Sequence, residues 1–262
     1  MEKTSKLNQW LQNNRLNVKS SLYEIIFNIS DICSRQCSFC PRGNGYINPH
    51  EPFMSDEVFT KVLNDCGENY TGMFSFSDFG EPTLNDKLPE YINQIKAICP
   101  NASILITTNG DFLDKISNIT GVNIIISKYD DISIPTLKSP YKIKELSSAQ
   151  KHFYNRGGNV PIEGIVPQQC CYMPFYKMNI DVNGDVILCS SDWYRKALMG
   201  NVLNENIFDI WNNDMYKTIR LTLLNNDRKS LQLCSQCNIN GLVAGKEFKE
   251  FWRGYYDNKR KS

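Results

Sequence analysis

Three cysteines, Cys33, Cys37 and Cys40, follow one another with three and then two residues between them. A span that short can fold three thiolates around one iron–sulfur cube and leave the fourth iron without a protein ligand. An open iron suits an enzyme whose cluster must bind a small cofactor, because an iron closed by four thiolates has no vacancy. A second set is scattered: Cys171, Cys189, and the Cys-x2-Cys pair Cys234 and Cys237. Four thiolates from three segments close a shell around a tetrahedral zinc ion or a four-iron cluster, and sulfur chemistry alone leaves both open. Cys170 adjoins Cys171; neighbouring strand residues point to opposite faces, so one of the two is expected to ligate. Cys66 and Cys99 fall outside both sets and read as buried or incidental thiols.

Two polar turns lie between the sets. In Gly80-Glu81-Pro82 the glycine permits close backbone approach and Glu81 complements an ammonium. In Thr107-Thr108-Asn109-Gly110, Thr108 and Asn109 offer hydrogen bonds to hydroxyl or carboxylate groups. Taken singly, each is an ordinary turn with a polar residue.

The elements that must position these residues follow from periodicity. Tyr23, Ile25, Phe27 and Ile29 alternate with Glu24, Asn28 and Ser30, the period of a strand, and run directly into Cys33. Ser55 caps a helix carrying Val58, Phe59, Val62 and Leu63 at helical spacing. Phe74 to Phe79 reads as a strand, Leu88 to Ile98 as a helix, and Ile104 to Ile106 as a third strand. Phe112 to Ile116 reads as a short helix, and Val122 to Ser127 as a fourth strand ending on Ser127. Alternating strands and helices with apolar strands predict parallel βα units with both sheet faces covered, and each polar motif sits at a strand's C-terminal end. From about Cys170 the pattern becomes a β-hairpin turning at Asn183-Gly184, then one helix over Ile207 to Leu224. The aromatic and basic stretch Phe251 to Arg260 reads as a packing helix.

Composition narrows the chemistry further. Lys and Arg number 29 against 28 Asp and Glu, a net charge of +1, so no broad field draws the chain to nucleic acid or anionic lipid. The polar first residues and the short apolar runs give neither an export signal nor a membrane span, and the reading is a soluble, cytoplasmic protein. Ten cysteines in such a chain point to metal or redox chemistry rather than disulfides, while two histidines leave little material for a histidine-ligated zinc hydrolase.

The cysteine spacing, with the aromatic Phe39 before its last cysteine, resembles the signature of the radical S-adenosylmethionine (radical SAM) superfamily. The resemblance implies that the open iron binds the amino and carboxylate groups of S-adenosylmethionine. Reductive cleavage would then give a 5′-deoxyadenosyl radical that removes a hydrogen atom from the substrate. Gly80, Glu81 and Pro82 match the family's loop at the methionine amino group, Thr108 and Asn109 its next cofactor loop, and Ser127 continues that series. The second cysteine set, with Met199 to Asn201 and Asp209 to Trp211, is similar to the auxiliary-cluster module called SPASM in its shortened, twitch form. That implies a second four-iron cluster, held by Cys171, Cys189, Cys234 and Cys237, suited to electron transfer. The implied architecture is α/β, a partial (β/α) TIM-like barrel of radical SAM type with a small C-terminal α+β module. Its divisions are an extension over residues 1–20, the barrel over 21–164 and the module over 165–262.

Within the superfamily the chain is similar to the aminocyclitol-oxidising dehydrogenases, through Thr108 to Leu113, Asn155-Arg156-Gly157-Gly158 and the Cys171 to Cys189 interval. The resemblance puts Arg156 beside the substrate hydroxyl. Those relatives carry an acidic residue two positions after the second auxiliary cysteine; here Ser191 stands there, with Asp192 next, so the aminocyclitol does not simply carry over. The expected reaction is oxidation of a secondary alcohol on a polar small molecule, with a flavodoxin- or ferredoxin-type reductant. Two other readings stand beside it: a peptide-modifying radical SAM enzyme, and a zinc-stabilised binding protein without catalysis.

Overall fold

Alternation along the first strand decides which way the chain faces. The structure is a computed structural model that describes residues 2–47, 51–146, 154–241 and 244–260; both histidines lie outside these. The helix α1 (Glu2–Asn13) leads to β1 (Glu24–Phe27), in which Ile25 and Phe27 lie on one face and Glu24 and Ile26 on the other. The aromatic ring of Phe27 packs against Phe59 of the helix α2 (Asp56–Cys66), and Phe59 stacks on Tyr91 of α3 (Leu88–Ile98). Each such fully buried side chain contributes about 1.5–3 kcal/mol.

Parallel pairing extends from β1 to β2 (Met73–Phe76), β3 (Ser103–Thr108), β4 (Asn123–Lys128) and β5 (Tyr141–Glu145). On the other edge of β1 lies β6 (Lys177–Ile180), also parallel, followed antiparallel by β7 (Asp185–Ile187) and β8 (Leu198–Asn201). Among the described residues the eight strands form one sheet, in the order β5-β4-β3-β2-β1-β6-β7-β8. The α/β class and the parallel-dominated sheet are therefore those expected. The hairpin, though, continues the barrel's sheet instead of standing apart from it. Its turn is held by Asp181, whose Oδ1 accepts from the backbone N–H groups of Asn183 (2.9 Å) and Asp185 (3.1 Å).

Three elements differ from the sequence reading. The expected helix over Ile207 to Leu224 is two helices, α4 (Ile207–Trp211) and α5 (Asp214–Leu224). Asn213 breaks it, because its side chain accepts from Tyr216 N at 3.0 Å and starts a new helix. The β3–β4 connection carries only a 3-10 turn, Leu113–Ile116. Strand β5, which the sequence reading passed over, is exposed along its whole length and lysine-bearing, as an edge strand usually is. The predicted C-terminal helix is α6 (Lys246–Lys259), anchored by Trp252 Nε1 donating to Phe175 O at 3.1 Å. Among the described residues no helix is long and apolar enough to cross a membrane.

Candidate functional site

The loop leaving β1 carries Cys33, Cys37 and Cys40, all half-buried, and Cys40 lies close enough to raise the proton affinity of both Cys33 and Cys37. Burial is the larger cause of the raised pKa at Cys33 and Cys37. Cys40 N donates to Cys37 O at 3.0 Å, and a Cβ at Gly43 would lie 2.2 Å from that same carbonyl, so the turn closes only with glycine there. Arg35 fixes the loop from outside: its guanidinium pairs with Asp111, beyond β3, and with Asp130, beyond β4. Ser34 adds a hydrogen bond to Asp111 Oδ2 at 2.6 Å. Phe39 rests on the Tyr129 ring with centroids 5.2 Å apart, and Tyr129 hydrogen-bonds Ser127 at the end of β4.

Glu81 is the hub joining the polar loops. It is 2% exposed, and its Oε1 accepts from Thr83 N (3.1 Å), Thr83 Oγ1 (2.6 Å) and Thr108 Oγ1 (2.7 Å). Its Oε2 accepts from Asn109 N at 2.7 Å. Burial raises the Glu81 pKa, and these four donors oppose that rise. Asn109 in turn donates from Nδ2 to Ser34 Oγ (3.0 Å) and to Cys33 Sγ (3.7 Å). The close approach that Gly80 permits is to the β1 loop, since a Cβ there would lie 1.9 Å from Ser30 O. Pro82 starts the 3-10 turn that follows. The loops after β1, β2 and β3 thus form one hydrogen-bonded rim.

The other four cysteines line a single cavity of about 140 Å³, together with Ile26, Asp78, Lys177, Asn179, Ser191 and Arg228. Cys171 reaches it, whereas Cys170 turns away and its N–H is held by Asn226 Oδ1 at 3.0 Å. Burial pushes the Cys234 thiol up to about 12 and the Cys189 and Cys171 thiols upward as well. Buried thiols converging from three segments stay protonated unless a cationic centre draws the protons off, which suits a metal cluster rather than a free dithiol site. A Cβ at Gly241 would fall 2.3 Å from Cys171 Sγ, so that loop too closes only over glycine.

Asn155 docks a turn onto the Cys234–Asn238 stretch: its backbone N–H donates to Asn238 Oδ1 (2.9 Å), and its Nδ2 donates to Gln236 O (2.7 Å). The turn holds Arg156 at φ +50° and Gly157 at +67°. Arg156 lies in electrostatic range of Tyr129, which also feels Cys37 and Cys40. The backbone of Ser191 is tied to the same turn through Asn159 Nδ2 (3.0 Å), and Ser191 lines the cavity. Asp192 faces elsewhere: its two oxygens accept from Lys196 N (2.9 Å) and Ala197 N (2.7 Å).

The radical SAM superfamily model matches residues 27–134, and the iron–sulfur cluster-binding domain model SPASM matches residues 170–238. Over residues 27–134 the chain is similar to the radical SAM superfamily. The chain is 28% identical over 228 residues to the S-adenosyl-L-methionine-dependent 2-deoxy-scyllo-inosamine dehydrogenase of Niallia circulans, spanning 80% of the chain and 90% of that relative. In fold it is similar to BtrN, crystallised with AdoMet and 2-DOIA, at a TM-score of 0.74 and 23% identity over 87% of this chain and 97% of BtrN. It is also similar to Streptococcus suis SuiB bound to the precursor peptide SuiA, at a TM-score of 0.58 and 14% identity over 86% and 72% of the two chains. The cofactors of such a chain are S-adenosylmethionine and two four-iron clusters, which closes the choice between zinc and iron that the thiols left open.

The sequence reading overlooked Arg35, Asp111, Asp130, Tyr129 and Arg228. Only Asp111 carried a signal, since it falls inside the Thr108 to Leu113 stretch. The others become site residues through contacts between loops remote in sequence.

Proposed function

We propose that the chain oxidises a secondary alcohol of a polar small molecule, such as a sugar or an aminocyclitol, to a ketone. The observation that carries this reading is the Asn155-to-Gly158 turn, docked on one cysteine set while the charge of its Arg156 reaches Tyr129 beside the other. A substrate held by Arg156 would lie between the two sets. The relative from Niallia circulans is a dehydrogenase, in keeping with this reading.

Cys33, Cys37 and Cys40 would hold the cluster that binds S-adenosylmethionine, and Cys171, Cys189, Cys234 and Cys237 the auxiliary one. When bound, these groups supply a hydrogen-abstracting radical and an electron acceptor. Phe39, Gly80, Glu81, Pro82, Thr108, Asn109 and Ser127 form or brace the rim on which the cofactor would rest. Arg156 would donate to the substrate oxygen and stabilise its negative charge as the hydroxyl proton leaves. The alcohol loses a hydrogen atom from its carbinol carbon, a proton from its oxygen and one electron, which together leave a ketone. Ser191, on the cavity wall, is a neutral substrate contact, and Asp192 would act by shaping the turn behind it. Residues 21–164 are assigned to the barrel and 165–262 to the auxiliary module, with electrons exchanged with a flavodoxin- or ferredoxin-type protein of the cytoplasm.

The test is anaerobic incubation with S-adenosylmethionine, reductant and a panel of cyclitols and amino sugars deuterated at the carbinol carbon. Equimolar ketone and deuterium-labelled 5′-deoxyadenosine are expected. Cofactor cleavage with every alcohol recovered unoxidised would overturn the reading, and turnover of a peptide instead would replace it.

A further inference from the structure

Arg228 sits in a 3-10 turn, Arg228–Ser230, between α5 and the Cys234 and Cys237 pair. It is 2% exposed and lines the same cavity as the four cysteines. One N–H is spent: Nη2 donates to Cys237 O at 3.4 Å. Nε and Nη1 have no acceptor among the described residues. The other cation of this cavity, Lys177, is paired with Glu24 at 3.0 Å. Arg220, also buried, leaves only Nη2 without an acceptor among the described residues. It is sandwiched between the rings of Trp211 and Trp252, at 4.0 and 3.8 Å, and donates to Pro174 O and Trp211 O at 2.9 and 2.8 Å.

A buried guanidinium with open donors is costly unless an anion accepts them. Four thiolates around an iron–sulfur core make a net anion with sulfur acceptors on its surface, in the cavity that Arg228 faces. We propose that Arg228 donates its unpartnered N–H groups to sulfur atoms of the auxiliary cluster and so raises that cluster's reduction potential. The inference rests on the reading of a four-iron cluster in this cavity. Reduction adds one negative charge, and a fixed positive charge in a poorly screened interior stabilises the reduced form more than the oxidised one. The electron gained is the one the substrate gives up after losing its hydrogen atom and proton, and it passes on to a flavodoxin- or ferredoxin-type protein. Arg228 is thus a tuning residue, remote from the substrate's reacting carbon.

The test is a potentiometric titration followed by electron paramagnetic resonance. It uses the full chain with both clusters assembled, the cofactor-binding cluster being told apart by its response to S-adenosylmethionine. Arg228→Met is expected to disfavour reduction of the auxiliary cluster at least tenfold, about 59 mV for one electron. Arg228→Gln should fall between Met and wild type, and Arg228→Lys, which keeps the charge and loses the planar fork, should give the smallest drop. Potentials unmoved in variants that retain the cluster overturn the role of Arg228. If both neutral variants lose the cluster, Arg228→Lys decides, a lowered potential supporting the role and an unchanged one overturning it. Loss of the cluster from all three marks a structural residue and also overturns it. Wild-type iron near four per chain would instead overturn the reading on which the inference rests.

Discussion

Glu81 shows how a side chain's chemistry depends on what faces it. A glutamate after a strand suggests a partner for an ammonium, yet both its oxygens are engaged by Thr83, Thr108 and the Asn109 backbone. Its charge is spread over a junction of the loops after β2 and β3. Glu81→Gln sets an amide against these N–H and O–H donors and is expected to cost about 1–3 kcal/mol. Urea unfolding reads that loss, and an unchanged midpoint would show the junction to be dispensable. Gly80→Ala is expected to be worse, because its Cβ would enter the space of Ser30 O and only a backbone shift relieves the clash. The expected destabilisation is about 3 kcal/mol, with a fall in iron bound at the Cys33 loop; a variant with wild-type stability and iron content would refute this.

At the scale of elements, the joint between the barrel and the hairpin is electrostatic. Arg195, on the hairpin side, pairs from Nη2 with Asp31 Oδ2 at 2.7 Å and from Nε with Asp181 Oδ2 at 3.2 Å, and it stacks over Phe79 at 4.7 Å. Asp31 precedes the cysteine loop and also receives Arg42 at 2.9 Å. The network therefore couples the seat of the first cysteine set to the strand pair that leads to Cys189. Arg195→Met leaves two buried carboxylates short of a partner and is expected to cost about 3–5 kcal/mol. Combined with Asp181→Asn, the loss should be smaller than the two single losses added, because the neutral amide removes one stranded charge. Additive losses in denaturant titrations would show that the pair is not coupled. None of this network was legible in the sequence, whereas α2 was, down to its Ser55 cap. A helix cap acts within one turn of chain; Asp31 and Arg195 meet across 164 positions.

At the scale of the whole molecule, two cysteine sets sit on one continuous sheet, and the two clusters are expected to contribute to stability separately. Cys171→Ala should lower bound iron from about eight to about four per chain while leaving the signal that responds to S-adenosylmethionine. Loss of both signals would show that the clusters assemble as a unit. Anaerobic chelation of all iron should lower the thermal midpoint, since cluster binding stabilises the native chain by mass action. A midpoint that stays put would mean that the four-cysteine cavity keeps its shape without metal.

The chain order by itself determined the chemistry, because ligands of one loop, such as Cys33, Cys37 and Cys40, are brought together by local spacing, and strand and helix periods are local too. It left open which of Cys170 and Cys171 faces the cavity, what Glu81 holds, and where Arg228 points. Tertiary structure decided those, because each depends on surfaces that meet only when segments remote in sequence pack together, as when β6 pairs beside β1. The same pairing decided what the polar face of β1 meets: Glu24 and Asn28 alternate with apolar residues in the sequence, and both are buried. A period of two tells which residues share a face, and only the fold tells what that face meets.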